Sequence, residues 1–256
     1  MFSRAIVRPP CSAFASGLTS SVLGSPDLAV ALAQHEAYVR ALEACGLAVT
    51  RLPAEPRFPD STFVEDTAVL LPSLAVLTRP GAPSREGEVE AIRPAVEASF
   101  RRVARIEAPG TVDGGDVCVT GDRLLVGLSD RTNEEGARQL ARLAAGEGFE
   151  TTLVDIRVIP GLLHLKTGLS ELGAGRLLVA GPLAGRRELA AFEQVPVDPE
   201  ESYGANAVHV NGRVLIPAGL PRLAERLAGL GFPVVPLEMS EFRKMDGGLS
   251  CLSLRF

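Results

Sequence analysis

Apolar residues along this chain fall into short runs that come in pairs, with a tight turn inside each pair and a helical stretch after it. The clearest pair covers residues 207–210 and 213–217, separated by Asn211-Gly212 and followed by a predicted helix at 221–231. Asn-Gly between two apolar runs is the strongest short signal for a β-hairpin. The same pattern predicts three further copies: 64–71 and 74–78 with a helix at 84–100, 117–120 and 123–127 with a helix at 133–146, and 170–172 and 176–180 with a helix at 185–193.

The two ends of the chain supply a fifth copy. Residues 252–256 form an apolar strand with no partner after it, and residues 5–8 form one with no partner before it. Pairing them makes a hairpin that is followed by a helix at 27–46, so units of about 50 residues account for nearly the whole chain. A closed ring of such units leaves no long exposed sheet edge. We therefore predict an α/β fold with five blades in one domain over residues 1–256, with the termini paired in one blade.

Reactive side chains recur with the same period. In a ring, the start of the first hairpin strand faces the common axis, and polar residues stand at or just before this position in every unit: Glu65/Asp66, Asp113/Asp116, His164, Asn206 and Cys251. The successive spacings from Asp66 to Cys251 are 50, 48, 42 and 45 residues. The pattern predicts that acids, a histidine, an amide and a thiol converge on one cleft.

Cys251 and His164 are the candidates for nucleophilic chemistry. Cys251 lies in GGLSCLSLRF, where two glycines permit a turn just before an apolar strand. His164 lies in GLLHLKTG, which we interpret as an apolar strand turning into a loop. Taken singly, the alternatives are a buried strand thiol and a hydrogen-bonded core histidine. His35, in a helical stretch, and His209, on a strand face, are weaker candidates for a general base.

The candidate carboxylates come in two sets. FPDSTFVEDTAVL carries Asp60, Glu65 and Asp66, and TVDGGDV carries Asp113 and Asp116. Any one of them can be explained by turn chemistry, because aspartate bonds to its own backbone in turns. Several acids around one axis repel each other unless a cation joins them. A metal fits poorly because the closely spaced oxygen ligands of a DxDxDG loop are absent, whereas a planar guanidinium forms bidentate hydrogen bonds with carboxylates.

The charge and the cysteine content of the chain argue against several classes of binding partner. The net charge is −5, and no run of Lys and Arg exceeds two residues, so no basic surface is predicted for a nucleic acid. The longest apolar stretch, 67–77, contains Pro72 and falls short of the ~20 residues that span a bilayer. The four cysteines lie far apart without a CxxC pair, which does not fit a structural zinc site. Without a visible signal peptide, we expect reduced thiols, a cytoplasmic location and no nucleic-acid or membrane partner.

Several motifs together resemble one known family. FPDSTFVEDTAVL, LTRPGAPSREGEVE, PGTVDGGDV, RTNEEGARQ, LHLKTG, EESYGAN and KMDGGLSCLSLRF occur in the order seen in dimethylarginine dimethylaminohydrolases, also called dimethylargininases. These enzymes belong to the guanidine-modifying superfamily. The resemblance implies a five-bladed α/β propeller of ββαβ repeats. It also implies hydrolysis of Nω,Nω-dimethyl-L-arginine or Nω-monomethyl-L-arginine to L-citrulline and dimethylamine or methylamine.

The resemblance also implies a role for each matching residue, with no metal or organic cofactor. Cys251 is the expected nucleophile, His164 the general acid and base, and Asp113 the carboxylate of the triad, where some relatives have Glu. The expected substrate-binding residues are Glu65 and Asp66 for the guanidinium, Asp60 and the carbonyl of Leu18 for the α-ammonium, and Arg85 and Arg131 for the α-carboxylate.

Two alternatives and the assembly state stay open at the sequence level. The first alternative keeps the enzyme class with arginine, citrulline or another ureido or guanidino compound as substrate. Related arginine deiminases carry an acid two residues after the catalytic histidine, where this chain has Lys166, and this difference favours methylated arginine. The second is a ring that only binds ligands, but such a ring has no need of a cysteine, histidine and aspartate set. We keep a homodimer as a candidate assembly.

Overall fold

Each predicted hairpin is present, and each is joined by a third strand in parallel. The computed structural model describes all 256 residues. The strands are β1 (Arg4–Val7), β2 (Ala48–Arg51), β3 (Ala68–Leu70), β4 (Ala75–Leu77), β5 (Val103–Arg105), β6 (Val117–Thr120), β7 (Arg123–Leu128), β8 (Glu150–Asp155), β9 (Leu169–Gly173), β10 (Arg176–Val179), β11 (Glu193–Pro196), β12 (Val208–Val210), β13 (Arg213–Pro217), β14 (Val234–Leu237) and β15 (Leu254–Arg255). The helices are α1 (Leu28–Ala44), α2 (Glu86–Glu97), α3 (Glu134–Ala145), α4 (Leu165–Gly168), α5 (Pro221–Gly229) and α6 (Ser240–Arg243).

The chain divides into two units. The first comprises Met1–Val64 and Asn206–Phe256, and the second comprises Glu65–Ala205. Five three-stranded sheets are distributed between them, in the orders β15-β1-β2 and β12-β13-β14 in the first unit and β3-β4-β5, β6-β7-β8 and β11-β10-β9 in the second. In every sheet the middle strand pairs antiparallel with its hairpin partner and parallel with the strand that follows in the chain. Four of the five sheets have a helix before their third strand, which is the predicted ββαβ repeat.

In the first unit, the two ends of the chain form one sheet. Ala5 pairs with Arg255 and Ile6 pairs with Leu254, both antiparallel, so the predicted pairing of the termini is confirmed. The apolar side chains of β1 are fully buried. Burial of both faces of a short central strand explains why its sequence reads as a continuous apolar run.

In the second unit, the sheets pack through alternate residues of the same strands. Leu124 and Val126 of β7 belong to one apolar cluster, which also includes Leu140 of α3. Leu125, which lies between them, belongs to the next cluster with Leu177 of β10. Because successive side chains of a strand point to opposite faces, one strand contributes to two neighbouring cores.

One predicted helix is absent. Residues 185–193 contain a single 3₁₀ turn, Arg187–Leu189, which follows another at Gly181–Leu183. Gly185 between them has a φ of +73°, a left-handed conformation that interrupts a helix. The crossover in this sheet is therefore made by two short turns.

The predicted strand before His164 is also wrong. Residues 156–163 form turns, and His164 lies at the N-terminal end of α4. The remaining predicted helices are present, with ends shifted by a few residues, which is usual for boundaries read from sequence. None of the helices combines the length and apolar character that crossing a bilayer requires.

Candidate active site

A buried histidine–aspartate pair forms the centre of the candidate site. Nε2 of His164 lies 3.0 Å from Oδ2 of Asp113, and both residues are buried. Asp113 immediately precedes the 3₁₀ turn Gly114–Asp116, and its Oδ1 accepts a hydrogen bond of 2.9 Å from the backbone of Gly81. The structure therefore brings together two residues that the sequence predicts as a pair and that lie 51 positions apart.

The two glycines after Asp113 allow this close packing. A Cβ atom on Gly115 would lie 2.8 Å from both Oδ1 of Asp66 and Nδ1 of His164. A Cβ atom on Gly114 would clash with the backbone carbonyl oxygen of Glu65. A larger residue at position 115 would displace charged side chains, and one at position 114 would displace the backbone.

Asp66 is the second acid next to His164. Its Oδ1 accepts a 2.8 Å hydrogen bond from the backbone of Gly115, and its Oδ2 accepts one of 2.6 Å from Nη1 of Arg85. Burial raises the pKa of this carboxyl, but the charges of His164 and Arg85 and the two hydrogen bonds outweigh burial and lower the pKa to about 2. Asp66 is therefore an anion at neutral pH.

His164 carries a positive charge at neutral pH. Burial lowers its pKa, but the charge of Asp66, the hydrogen bond to Asp113, and the charges of Asp116 and Asp113 raise the pKa to about 9. A doubly protonated imidazole is a proton donor, and it becomes a base once it has given up that proton. His164 can therefore donate a proton in one step and accept a proton in the next.

Arg85 lies among carboxylates. Besides its bond to Asp66, its Nη2 lies 2.8 Å from Oε2 of Glu88, and its Nε lies 3.1 Å from Oε1 of the same residue. All three residues are buried, and these acids hold the pKa of the guanidinium well above its ordinary value although burial opposes them. The expected role of Arg85 toward a substrate carboxylate stays a prediction. The Glu88 contact carried no signal in the sequence beyond its i, i+3 spacing from Arg85.

Glu65 is paired with Lys166. Nζ of Lys166 lies 2.7 Å from Oε1 of Glu65, and 14% and 6% of these side chains are exposed. The two adjacent acids that the sequence groups together thus have different partners, because Asp66 bonds to Arg85 and Glu65 to Lys166. A direct role of Glu65 toward substrate stays a prediction.

Arg131 lies in a loop whose backbone is fixed by hydrogen bonds to a hydroxyl group. Its backbone N–H donates to Oγ of Ser129 at 3.0 Å. Ser129 and Thr132 both donate to Oδ2 of Asp116, which is buried. The sequence predicted that Asp116 faces the common axis of the repeat, but it did not predict these partners. The only sequence signal for a role of Asp116 was its position three residues after Asp113 in the GGD motif.

The first unit holds the remaining candidates. Cys251 lies in a 3₁₀ turn, Ser250–Leu252, and is half-buried. Asn206 accepts a 2.9 Å hydrogen bond from the backbone of Ser250 and donates one of 3.0 Å to its hydroxyl group, so this amide fixes the residue before the thiol. The carboxylate of Asp60 accepts a 3.1 Å hydrogen bond from the backbone N–H of Leu18.

The other three cysteines are buried, and none of the four is in a disulfide. Burial raises the pKa of Cys118 to about 12 and also raises that of Cys45, so neither is a thiolate at neutral pH. Cys45 and Cys118 are therefore core residues.

One group of side chains has the spacing of a metal site. Asp66, Asp113 and His164 each offer one atom, and these atoms lie within 4.8 Å of one another. The ring nitrogen that faces Asp113 is already in a hydrogen bond, and Asp66 already binds Arg85 and the backbone of Gly115. We interpret the group as a hydrogen-bonded network, and we assign no metal to it.

Comparison with known proteins places the chain in a family. No family model matches it. The dimethylarginine dimethylaminohydrolase of Pseudomonas aeruginosa is 48% identical over 257 residues, which cover 100% of both chains. The protein of the same name from Streptomyces coelicolor is 39% identical over 254 residues, which cover 98% of this chain and 96% of the relative.

Solved structures agree over the full length. The Pseudomonas aeruginosa dimethylarginine dimethylaminohydrolase in complex with citrulline superposes with a TM-score of 0.97 at 47% identity, covering 100% of both chains. A dimethylarginine dimethylaminohydrolase adduct with S-methyl-L-thiocitrulline gives a TM-score of 0.96 at 47% identity over 100% of both chains. A cyanobacterial arginine dihydrolase domain, at 22% identity and a TM-score of 0.87, shares the fold. The predicted five-bladed α/β fold is confirmed, and the chain belongs to the dimethylarginine dimethylaminohydrolase family.

Proposed function

We propose that this chain hydrolyses Nω,Nω-dimethyl-L-arginine and Nω-monomethyl-L-arginine to L-citrulline, with release of dimethylamine or methylamine. The observation that carries the proposal is the buried Asp113–His164 pair next to the anionic Asp66. It occurs in a chain that is 48% identical over its full length to a dimethylarginine dimethylaminohydrolase. The complex of such an enzyme with citrulline matches the expected product.

In the first half of the proposed reaction, Cys251 attacks as a thiolate. Its sulfur forms a bond to the central guanidinium carbon, and the positive charge of the substrate favours the thiolate by adding an opposite charge nearby. The bond from this carbon to the alkylated nitrogen then breaks. His164 gives its proton to the departing amine, which is otherwise a poor leaving group. An S-alkylthiouronium adduct on Cys251 remains.

In the second half, His164 acts as a base. It removes a proton from a water molecule, whose oxygen bonds to the same carbon of the adduct. Collapse of this tetrahedral intermediate breaks the carbon–sulfur bond and restores the thiolate, while the remaining hydroxyl proton passes through solvent to the released amine and citrulline leaves. Asp113 keeps the imidazole oriented through its hydrogen bond and stabilises its charged form. The scheme draws on no metal or organic cofactor.

Asp66 is the proposed contact for the substrate guanidinium. It already binds one planar guanidinium, that of Arg85, and a carboxylate offers about four lone-pair sites. Arg85 and Gly115 use two of them. We further propose Glu65 beside Asp66 for the guanidinium. The other contacts proposed are those of Asp60 and Leu18 with the α-ammonium group and those of Arg85 and Arg131 with the α-carboxylate.

Lys166 supports the preference for methylated substrates. It stands where related arginine deiminases carry an acid, and it neutralises Glu65 through a 2.7 Å ion pair. A site with fewer anionic groups offers fewer acceptors for the N–H groups of an unmethylated guanidinium, so it discriminates less strongly against methyl groups. Both the cytoplasmic location and the assembly state stay predictions.

A substrate panel tests the proposed function. Dimethylarginine, monomethylarginine and arginine are incubated with wild-type protein, Cys251→Ser and the control Cys45→Ala, and citrulline and alkylamine are quantified. We expect turnover of both methylated substrates by the wild type and the control, and a loss of more than about 10³-fold in Cys251→Ser. Turnover of arginine without turnover of either methylated substrate would overturn the assignment.

A further inference from the structure

Asp116 is a buried carboxylate outside the proposed triad, and it accepts hydrogen bonds from three separate places. Its Oδ2 accepts from the hydroxyl of Ser129 at 2.6 Å and from that of Thr132 at 2.7 Å. Its Oδ1 accepts from the backbone N–H of Leu165 at 2.9 Å. The residue is fully buried, so water does not compete for these contacts.

Two of the three contacts lead to the histidine–aspartate pair. Leu165 follows His164 directly, so the bond to Leu165 fixes the backbone that carries the imidazole. The Thr132 hydroxyl, while donating to Asp116, accepts a 3.1 Å hydrogen bond from the backbone N–H of Asp113. Asp116 thus reaches both members of the pair, each through one intermediate group.

The third contact leads to the loop of Arg131. The Ser129 hydroxyl donates to Asp116 and accepts hydrogen bonds from the backbone N–H groups of Arg131 at 3.0 Å and Thr132 at 3.1 Å. Both hydroxyl groups direct their protons to Asp116, and they accept two hydrogen bonds at Ser129 and one at Thr132 from backbone N–H groups. All three groups that contact Asp116 are donors, so both of its side-chain oxygen atoms must accept. An asparagine offers one acceptor oxygen, and its carboxamide nitrogen would face at least one of these donors.

The charge of Asp116 also acts on His164. The charges of Asp66, Asp113 and Asp116 all favour the charged form of the imidazole. Asp66 and Asp113 lie next to the ring, whereas Asp116 acts on it through its charge alone. Burial raises the pKa of Asp116 to about 6 against the hydrogen bonds that it accepts, so it is mainly ionised at neutral pH. A buried anion without a cationic partner in direct contact is costly for the fold, which indicates a task other than stability.

We propose that Asp116 is a positioning residue. Through its hydrogen bonds it fixes the positions of Asp113, His164 and the Arg131 loop relative to one another. The proposal rests on the proposed function, since it assigns these three residues to the reaction. In this proposal Asp116 does not contact the substrate and affects the reaction only through the residues that it binds.

The main test replaces Asp116 by Asn and uses Asp122→Asn, in an exposed turn of the same hairpin, as the matched control. The histidine resonances are titrated by NMR, and His164 is identified by its absence in His164→Asn. In Asp116→Asn we expect the pKa of His164 to fall by about 1 unit and kcat to fall about 10- to 100-fold, with no such change in Asp122→Asn. Asp116→Asn values equal to those of the control would overturn the proposal.

A second pair of variants covers the case in which Asp116→Asn does not fold. Thr132→Val removes the hydroxyl that links Asp116 to Asp113, and Thr132→Ser retains it. We expect kcat to fall about 10-fold or more in the valine variant and to stay near wild type in the serine variant. Equal kcat values would contradict the proposal. If wild-type protein turns over no methylated arginine, the proposed function fails, whereas the NMR titration still decides whether Asp116 acts on His164.

Discussion

At the scale of single residues, the site is governed by how charge is distributed around His164. The charges of three carboxylates favour the protonated form of one imidazole, while the neighbouring acids Glu65 and Glu88 form ion pairs with Lys166 and Arg85. The arrangement keeps a proton on the histidine at neutral pH and leaves Asp66 ionised. A cationic substrate would add a positive charge to a site with an excess of negative charge, which favours its binding.

The pH dependence of turnover follows from these charges. Protonated His164 is needed for the leaving amine, and its pKa is raised to about 9, so we expect kcat/KM to decline as pH rises through about 9. Asp66, with a pKa of about 2, stays ionised through this whole range. The check is a rate profile from pH 5 to pH 10.5, and a basic limb near the ordinary histidine value of 6.5 would contradict this description.

The same shift has a consequence for stability. A folded-state pKa raised above the unfolded value means that the charged form is favoured by folding. The contribution of His164 is therefore fully present below about pH 6.5 and is lost as the pH rises through about 9. Urea unfolding of wild type and His164→Gln should show a difference in free energy that shrinks over this window, whereas a constant difference would contradict it.

The close packing at Gly115 makes a sharp test of the geometry. A Cβ atom there meets Asp66 and His164 at 2.8 Å, so Gly115→Ala must push at least one of them away. We expect a loss of about 100-fold in kcat, the scale of a displacement of about 1 Å. Gly229→Ala is the control because a Cβ atom at that position meets nothing within 4 Å. Equal kcat values in the two variants would show that the contact is unimportant.

Sequence reasoning found the reactive residue types but not their partners. Asp113 and His164 could be paired in advance because both recur with the hairpin period and match a family motif. Arg85–Glu88, Lys166–Glu65 and the bonds of Asp116 could not, because the partner of a charged side chain depends on packing in three dimensions. Pattern reasoning also placed His164 on a strand, since GLLHL is apolar, whereas local backbone hydrogen bonds from Ile159 to Ile156 and from Leu162 to Ile159 form turns before it.

At the scale of secondary structure, the caps explain which helical stretches form. Asn133 begins α3, where its Oδ1 accepts hydrogen bonds from Gly136 at 2.8 Å and Thr111 at 3.1 Å, and its Nδ2 donates to the carbonyl of Pro109 at 2.9 Å. The apolar side chains of α3 lie on one face and join the core of the second unit. The stretch at 185–193 has a glycine at its start and neither a comparable cap nor such a stripe.

The Asn133 cap gives a prediction at this scale. Asn133→Ala removes all three hydrogen bonds, and we expect the free energy of unfolding to fall by about 1–2 kcal/mol. Asn133→Asp retains the acceptor oxygen and loses only the donor, so its loss should be smaller. Chemical denaturation of the three proteins measures both values, and an alanine variant as stable as the aspartate variant would contradict the role of the cap.

The third strand of each sheet was not located from the sequence. The repeat predicted one, but β2, β5 and β11 are short and contain only one buried residue, Val195. Such strands lack the apolar run or the strict alternation that marks a strand in a sequence. The hairpin strands were found because they are buried and flank turns such as Asn211-Gly212. The residues that form such a turn are adjacent in the sequence, so the turn can be recognised without the tertiary structure.

At the scale of the whole molecule, the order in which the chain connects its two units is relevant to the prediction of a single domain. The first unit needs both ends of the chain, since β1 and β15 share a sheet, and residues 65–205 lie between its two parts in sequence. If the chain is one domain, calorimetry and circular dichroism should show one coincident unfolding transition. Two separate transitions would contradict the prediction of one domain.

The central claim is that Cys251 forms a covalent bond to the substrate carbon. The most direct measurement is mass spectrometry of protein that is mixed with dimethylarginine and quenched in acid within the first turnovers, followed by peptide mapping. We predict a mass increase equal to that of the substrate minus dimethylamine, located on the peptide that contains Cys251 and absent from Cys251→Ser. Citrulline production without any adduct on this peptide, or with an adduct on another cysteine, would contradict the claim.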